Sequence, residues 1–171
     1  MTILRPATLD DAKALAALGR DSFCAAFEHL YRPENLATFL EQAYSERAVA
    51  KEIADPTYTH QLADKGGKLL GYCKMRAPSS YAEQTDAVQP IALCQLYTDP
   101  AHTGEGIGAA LMDWALAMAR EGGHDCVQLS VWSENYDAQR FYQRYGFVKT
   151  ADISFWVGAQ RDEEFLYELR L

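Results

Sequence analysis

The spacing of apolar residues changes along this chain, and each change marks a different kind of element. Thr2–Arg5 is apolar in its middle and stopped by Pro6, which predicts a short opening strand. Thr8, with Asp11 three residues on, has the form of a helix start in which the carboxylate reaches back to the cap. Leu15, Leu18, Ser22 and Phe23 then follow at helical spacing. After a break near Glu28–Arg32, Pro33 opens a second helix with Leu36, Phe39, Leu40 and Ala43 on one face. Ser45–Ile53 forms a third, which ends before Pro56.

Beyond Pro56 the period shortens. Tyr58–Ala63 and Leu69–Met75 read as two strands joined through Asp64-Lys65-Gly66-Gly67, a hairpin signal. The polar stretch Ala77–Asp86 reads as a surface loop, and Ile91–Thr98 as a central strand buried on both faces. Ile107, Leu111, Trp114, Ala115 and Met118 mark the buried face of a helix closed by Gly122-Gly123. Val127–Trp132 predicts a strand and Asn135–Tyr145 a helix closed by Gly146. Strands near Phe147–Val157 and Phe165–Leu169 complete the chain. The class is α/β: helices first, a meander of strands, then strand–helix–strand–helix–strand.

Composition narrows the options. With 49% hydrophobic and 23% charged residues, the 171-residue chain has the balance of a globular domain, and no repeat or linker divides residues 1–171. The longest uncharged stretch, Ala87–Thr98, has 12 residues, short of the ~20 that a membrane helix needs, so no membrane partner is expected. A net charge of −8 without a basic run argues against nucleic acid and suits a cationic partner. The start, Met1–Ala12, lacks the apolar core of a secretion signal, which predicts a cytoplasmic protein. Cys24, Cys73, Cys94 and Cys126 then read as buried, reduced thiols. Neither they nor the four histidines fall at metal-ligand spacing, and no metal is expected.

Candidate chemistry gathers in two places. Thr103-Gly104-Glu105-Gly106-Ile107-Gly108 lies between a predicted strand and a predicted helix, where glycines allow close backbone approach and the helix start attracts an anion. The spacing is neither that of a P-loop nor that of a dinucleotide fold, so taken alone it serves equally as a phosphate cradle or a packing turn. The second place is Asn135–Phe147, where Ala138, Phe141, Tyr142 and Tyr145 share a helix face. On periodicity alone Asn135 is a helix cap and Tyr142 a half-buried core ring.

Taken together and in this order, the two motifs resemble those of the GCN5-related N-acetyltransferases, the GNAT superfamily. That family's pyrophosphate loop, [Q/R]-x-x-G-x-[G/A], aligns with Thr103–Gly108, and its N-x-x-A-x-x-F-Y-x-x-x-G-F motif is matched at every fixed position from Asn135 to Phe147. The helices around Asp21–Phe27 and Pro33–Glu41, with Val131–Asn135, are similar to bacterial spermidine/spermine N-acetyltransferases. The resemblance implies a mixed, mostly antiparallel sheet flanked by helices, with two splayed parallel central strands, Ile91–Thr98 and Val127–Trp132. It implies acetyl-CoA as cosubstrate and a small amine, with a polyamine favoured, as acceptor; a homodimer is compatible with it. Thr103, Gly104, Glu105, Gly106, Ile107, Gly108 and Ala109 would hold the pyrophosphate. Leu96, Tyr97 and Thr98 would pair with the pantetheine arm, Asn135 and Ala138 would complete the cosubstrate site, and Tyr142 would protonate the departing thiolate. The acceptor would lie among Phe27, Glu28, Tyr31 and Glu83.

Two positions depart from the family pattern. Thr103 stands where many relatives carry Gln or Arg, which removes a donor to phosphate. Ala92 stands where many carry a glutamate base, and a water relay or a carboxylate such as Glu28 or Glu134 could serve in its place. These departures give weight to a second reading, a non-catalytic acyl-CoA-binding regulator on the same scaffold. An amino acid, an antibiotic or a peptide N-terminus is a further class of acceptor.

Overall fold

The structure is a computed structural model that describes all residues from Met1 to Leu171. Its elements are β1 (Ile3–Pro6), α1 (Ala12–Phe27), α2 (Pro33–Tyr44), α3 (Glu46–Ala54), β2 (Tyr58–Lys65), β3 (Lys68–Arg76), β4 (Pro90–Thr98), α4 (Ile107–Glu121), β5 (Cys126–Trp132), α5 (Tyr136–Arg144), β6 (Val148–Val157) and β7 (Gln160–Arg170). The caps read from sequence are in place. Asp11 Oδ2 accepts from the Thr8 backbone N–H at 2.8 Å, and the Ser45 hydroxyl oxygen accepts from Ala48 N at 3.2 Å. The β2–β3 turn is tighter than expected: Asp64 and Lys65 stay in the ladder, and Gly66-Gly67 alone turn the chain. At the other end β7 begins at Gln160, five residues before the expected start at Phe165. Ala77–Asp86 is a loop as expected, though Ser79 within it is buried and donates to Gln128 Oε1 at 2.7 Å.

The strands form one seven-stranded sheet in the order β1-β2-β3-β4-β5-β7-β6. Every neighbouring pair is antiparallel except β4 and β5. That parallel pair is held only by Pro90, Ile91 and Ala92 against Cys126, Val127 and Gln128. The β3–β4 ladder then slips at Cys94, since Lys74 faces Gln95 while Met75 faces Leu93. A bulge bends its strand, and here the bend carries β4 away from β5. From Leu93 on, one edge of β4 has no partner strand, so the middle of the sheet opens into a V.

Helices cover both faces. α4 buries Leu111, Met112 and Ala115 against Leu70, Ile91 and Val127, and α5 packs Phe141 and Tyr145 onto the same cluster. On the other face α1 and α3 bring Leu15, Leu18 and Val49 to Leu62, Leu69 and Tyr72. A third cluster, around Phe23, Tyr44 and Val157, joins α1 and α2 to the β6–β7 hairpin. No helix is long and apolar enough to cross a membrane.

Gly71 fixes how closely α4 approaches the sheet. A Cβ there would stand 2.8 Å from Ile107 Cγ2 and 2.8 Å from the Tyr97 carbonyl oxygen, at the first turn of α4. Gly71→Ala should therefore cost about 1–3 kcal/mol, read as a lower urea midpoint at unchanged slope. It should also weaken acetyl-CoA binding, measured by calorimetry, because it shifts the helix start on which the cosubstrate would rest.

Candidate active site

A cavity of about 300 Å3 lies within the V, between the unpaired edge of β4 and the end of β5. Of the residues expected to bind cosubstrate, Leu96, Tyr97, Asn135, Ala138 and Tyr142 line it. Thr98 closes β4 just beyond, its Oγ1 3.7 Å from where a Cβ on Gly108 would stand. Thr103 to Gly106 form the loop, and Ile107, Gly108 and Ala109 the first turn of α4.

The loop is built for an anion. Gly104 and Gly106 both have φ of +80°, a conformation that a side chain would strain, and the space above them is open. Gly106 caps α4, whose first N–H groups and positive dipole end are thereby free to face a diphosphate. Glu105 does not oppose this directly, because its carboxylate turns to His102 Nδ1 at 3.1 Å. Lys68 Nζ lies 3.2 Å from His102 Nε2 and 3.7 Å from the Asp99 carboxylate, which brings one cation to the foot of the loop. The residues present thus fit the diphosphate, and the open edge of β4 fits an extended amide-bearing arm.

Burial shifts the proton affinity of several side chains in the cavity, Tyr142 and Glu164 among them. Burial pushes the Tyr142 phenol well above its ordinary range, helped by Tyr97, Cys73 and Glu164. Its hydroxyl has no hydrogen-bond partner in the protein and stays protonated, as a proton donor must. Glu164, on β7, is 9% exposed and lines the cavity without any cation beside it. Burial, reinforced by Asp162, pushes its carboxyl up to about 7. Cys94, at the bulge, is pushed up to about 11 by burial and so is held as a thiol, unsuited to nucleophilic attack. Asn135 is indeed the cap of α5, its Oδ1 accepting from Ala138 N at 3.2 Å, and it also faces the cavity.

The far wall is aromatic. Phe27 and Tyr31 are there as expected, with Phe23, Phe39, Tyr44 and Phe155. The Tyr31 hydroxyl donates to Asp162, which ties the turn after α1 to β7. The structure does not bring Glu28 or Glu83 to this wall. Both are exposed, Glu28 in the turn that follows α1 and Glu83 in a turn of the β3–β4 loop. Glu134 is also exposed and lines an open groove beside the cavity with Phe27 and Asn135. Ala92 is fully buried, and the carboxylate of the cavity is Glu164. Cys24 and Cys94 are only partly buried, unlike Cys73 and Cys126. No group of three or more His, Cys, Asp or Glu side chains is placed to hold a metal ion.

An anion cradle that opens into a split sheet, with a protonated phenol inside the split, suits a long thioester carrying a diphosphate, and defines the class as the transferases that use acyl-CoA. Comparison with known proteins narrows it. The model of the acetyltransferase (GNAT) domain family matches residues 28–156. An uncharacterized N-acetyltransferase of Mycobacterium tuberculosis is 30% identical over 158 residues, 92% of this chain and 96% of that protein. The aminoalkylphosphonate N-acetyltransferase of Salmonella typhimurium is 27% identical over 86% of this chain and 85% of its own. In fold, the chain is similar to the PaiA N-acetyltransferase of Thermoplasma acidophilum, solved with coenzyme A, at a TM-score of 0.81 and 19% identity over 100% of this chain and 99% of that one. The chain belongs to the GNAT family and is an acetyl-CoA-dependent N-acetyltransferase.

The raised Glu164 carboxyl makes stability depend on pH. Between its ordinary 4.5 and about 7 the folded state keeps a proton that the unfolded chain has released, so stability falls as pH rises through that window. Above it the folded protein bears the full cost of a buried charge. Glu164→Gln should therefore raise the thermal midpoint at pH 8, a gain on the order of 2 kcal/mol, and leave it nearly unchanged at pH 4.

Proposed function

We propose that the protein transfers the acetyl group of acetyl-CoA directly to a primary amine of a small cationic acceptor of the polyamine type, with Tyr142 as general acid. The observation that carries this reading is the charge of the cavity: its lining holds aromatic rings and one carboxylate, and no Lys, Arg or His. A cationic chain meets ring faces and a carboxylate there, by cation–π and charge contacts. An acceptor with an anionic phosphonate group, as in the Salmonella relative, would find no cation in it.

The chain's residues divide the work. Bound acetyl-CoA supplies an activated acetyl thioester. Backbone amides from Gly104 to Ala109 hold its diphosphate, and Leu96, Tyr97 and Thr98 align its arm along the open edge of β4. The rings of Phe27 and Tyr31 steer the acceptor towards the thioester, so that much of the acceleration comes from position. The Tyr142 hydroxyl hands its proton to the sulfur that leaves, since burial keeps that proton in place at neutral pH.

A thiol-release assay with acetyl-CoA and a panel of spermidine, spermine, amino acids and a peptide tests the reading. Turnover is expected with the polyamines and little with the rest; preference for an amino acid or a peptide would overturn the acceptor class. Tyr142→Phe should lower kcat roughly 10²–10⁴-fold and leave the Kd for acetyl-CoA within about twofold. Full activity in that variant would remove Tyr142 from the mechanism.

A further inference from the structure

A protonated amine does not attack a carbonyl, so some group must first take a proton from the acceptor. The position on β4 where many relatives carry a carboxylate is Ala92, buried between Arg76 of β3 and Gln128 of β5. We propose that Glu164 of β7 is the general base of this enzyme, accepting the proton of the acceptor ammonium in the cavity that Tyr142 also lines. This rests on the amine-transfer reading above.

Three observations carry it. Glu164 is the only carboxylate among the cavity-lining residues. It is more than nine-tenths buried and has neither a hydrogen-bond partner nor a cation in the protein, so what faces it is whatever fills the cavity. A buried carboxylate left without a partner is costly to keep, and an ammonium group in the cavity would supply the missing counter-charge. Its place in the sheet is fixed on both sides, opposite Trp132 of β5 and Ile153 of β6.

The groups around it leave it free to act. Asp162, two residues earlier on β7, is engaged by Tyr31 from the turn after α1 and by Gln160 Nε2 at 3.0 Å. Tyr97 from β4, Tyr142 from α5, Tyr44 from α2 and Tyr81 from the β3–β4 loop are phenols held protonated by burial, and Cys94 of β4 is held as a thiol. No cation competes for the carboxylate.

The protons then balance. The ammonium nitrogen gives one proton to a Glu164 carboxylate oxygen and becomes nucleophilic. A C–N bond forms at the acetyl carbonyl carbon, the C–S bond breaks, and the sulfur takes the Tyr142 proton. The second proton leaving the nitrogen, as the amide forms, restores the Tyr142 phenol. Glu164 releases its proton to solvent, so each turnover yields the amide, the free thiol and one proton.

The test is Glu164→Gln, assayed from pH 5.5 to 9 on whichever amine the wild-type protein turns over fastest, with Glu163→Gln on the exposed neighbouring position as control. The wild-type and control proteins should show kcat/KM rising through a limb near pH 7. Glu164→Gln should lose that limb and fall at least roughly 100-fold at pH 7.5, at an unchanged Kd for acetyl-CoA. Glu164→Asp, which keeps a carboxylate on a shorter arm, should recover part of the rate and the limb. Thermal melting of each variant separates loss of the base from loss of the fold. Glu164→Gln that keeps the limb and stays within about threefold of wild type overturns the assignment. A wild-type protein that acetylates no amine overturns instead the reading on which it rests, before any variant is made.

Discussion

A sheet that stops bonding to itself in the middle is the constraint on which the rest of this molecule depends. β4 and β5 are joined over three residues each and then part, and the slip in register at Cys94 makes the parting abrupt. Unpaired main chain in an interior is costly unless something meets it. Here the gap is kept open by what surrounds it. The β3–β4 and β5–β7 ladders anchor the two arms of the V from outside, α4 and α5 brace one face, and the aromatic cluster of α1 and α2 closes the other. The edge that water would otherwise solvate is open to the amide-rich arm that the proposed function would lay along it.

The same architecture reconciles a sign problem. A chain of net charge −8 must attract a ligand that is itself strongly anionic. The main-chain N–H groups and helix dipole at Gly104–Ala109 would do so locally, where the attraction does not depend on Arg or Lys side chains in the loop. Thr103 is tolerable for that reason. The acidity elsewhere would suit the cationic acceptor proposed above, so that one molecule would present opposite local fields to its two substrates.

What the sequence made legible was what short-range chemistry controls. Helix caps, the glycine loop, the α5 motif and the order of elements are written in residues close together, and they appear where expected. What depends on pairing was not visible. The bulge at Cys94 exists only as a mismatch between two strands, and the first half of β7, Gln160–Glu164, contains no apolar residue to announce a strand. It is a strand because β6 pairs along all of it, with β5 joining only at Glu164. That is why Glu164 was missed, one residue before the expected start of β7. Glu28 and Glu83 drew attention instead through their nearness in sequence to aromatic residues or to a loop, and nearness in sequence does not say which way a turn faces. Knowing that a carboxylate was missing from β4 was itself a usable signal, one that called for an acid delivered from another strand.

The two walls of the cavity come from separate stretches of the chain. Residues between Leu93 and Tyr142 line one side of it, and residues of α1 and α2 with Phe155 and Glu164 of the β6–β7 hairpin line the other. The shared family pattern spans residues 28–156 and stops short of Glu164. The two walls meet where Gln95 Nε2 donates to the Tyr44 hydroxyl and where Phe27 packs edge-on against Trp132, so a substitution that reshapes one wall is transmitted to the other.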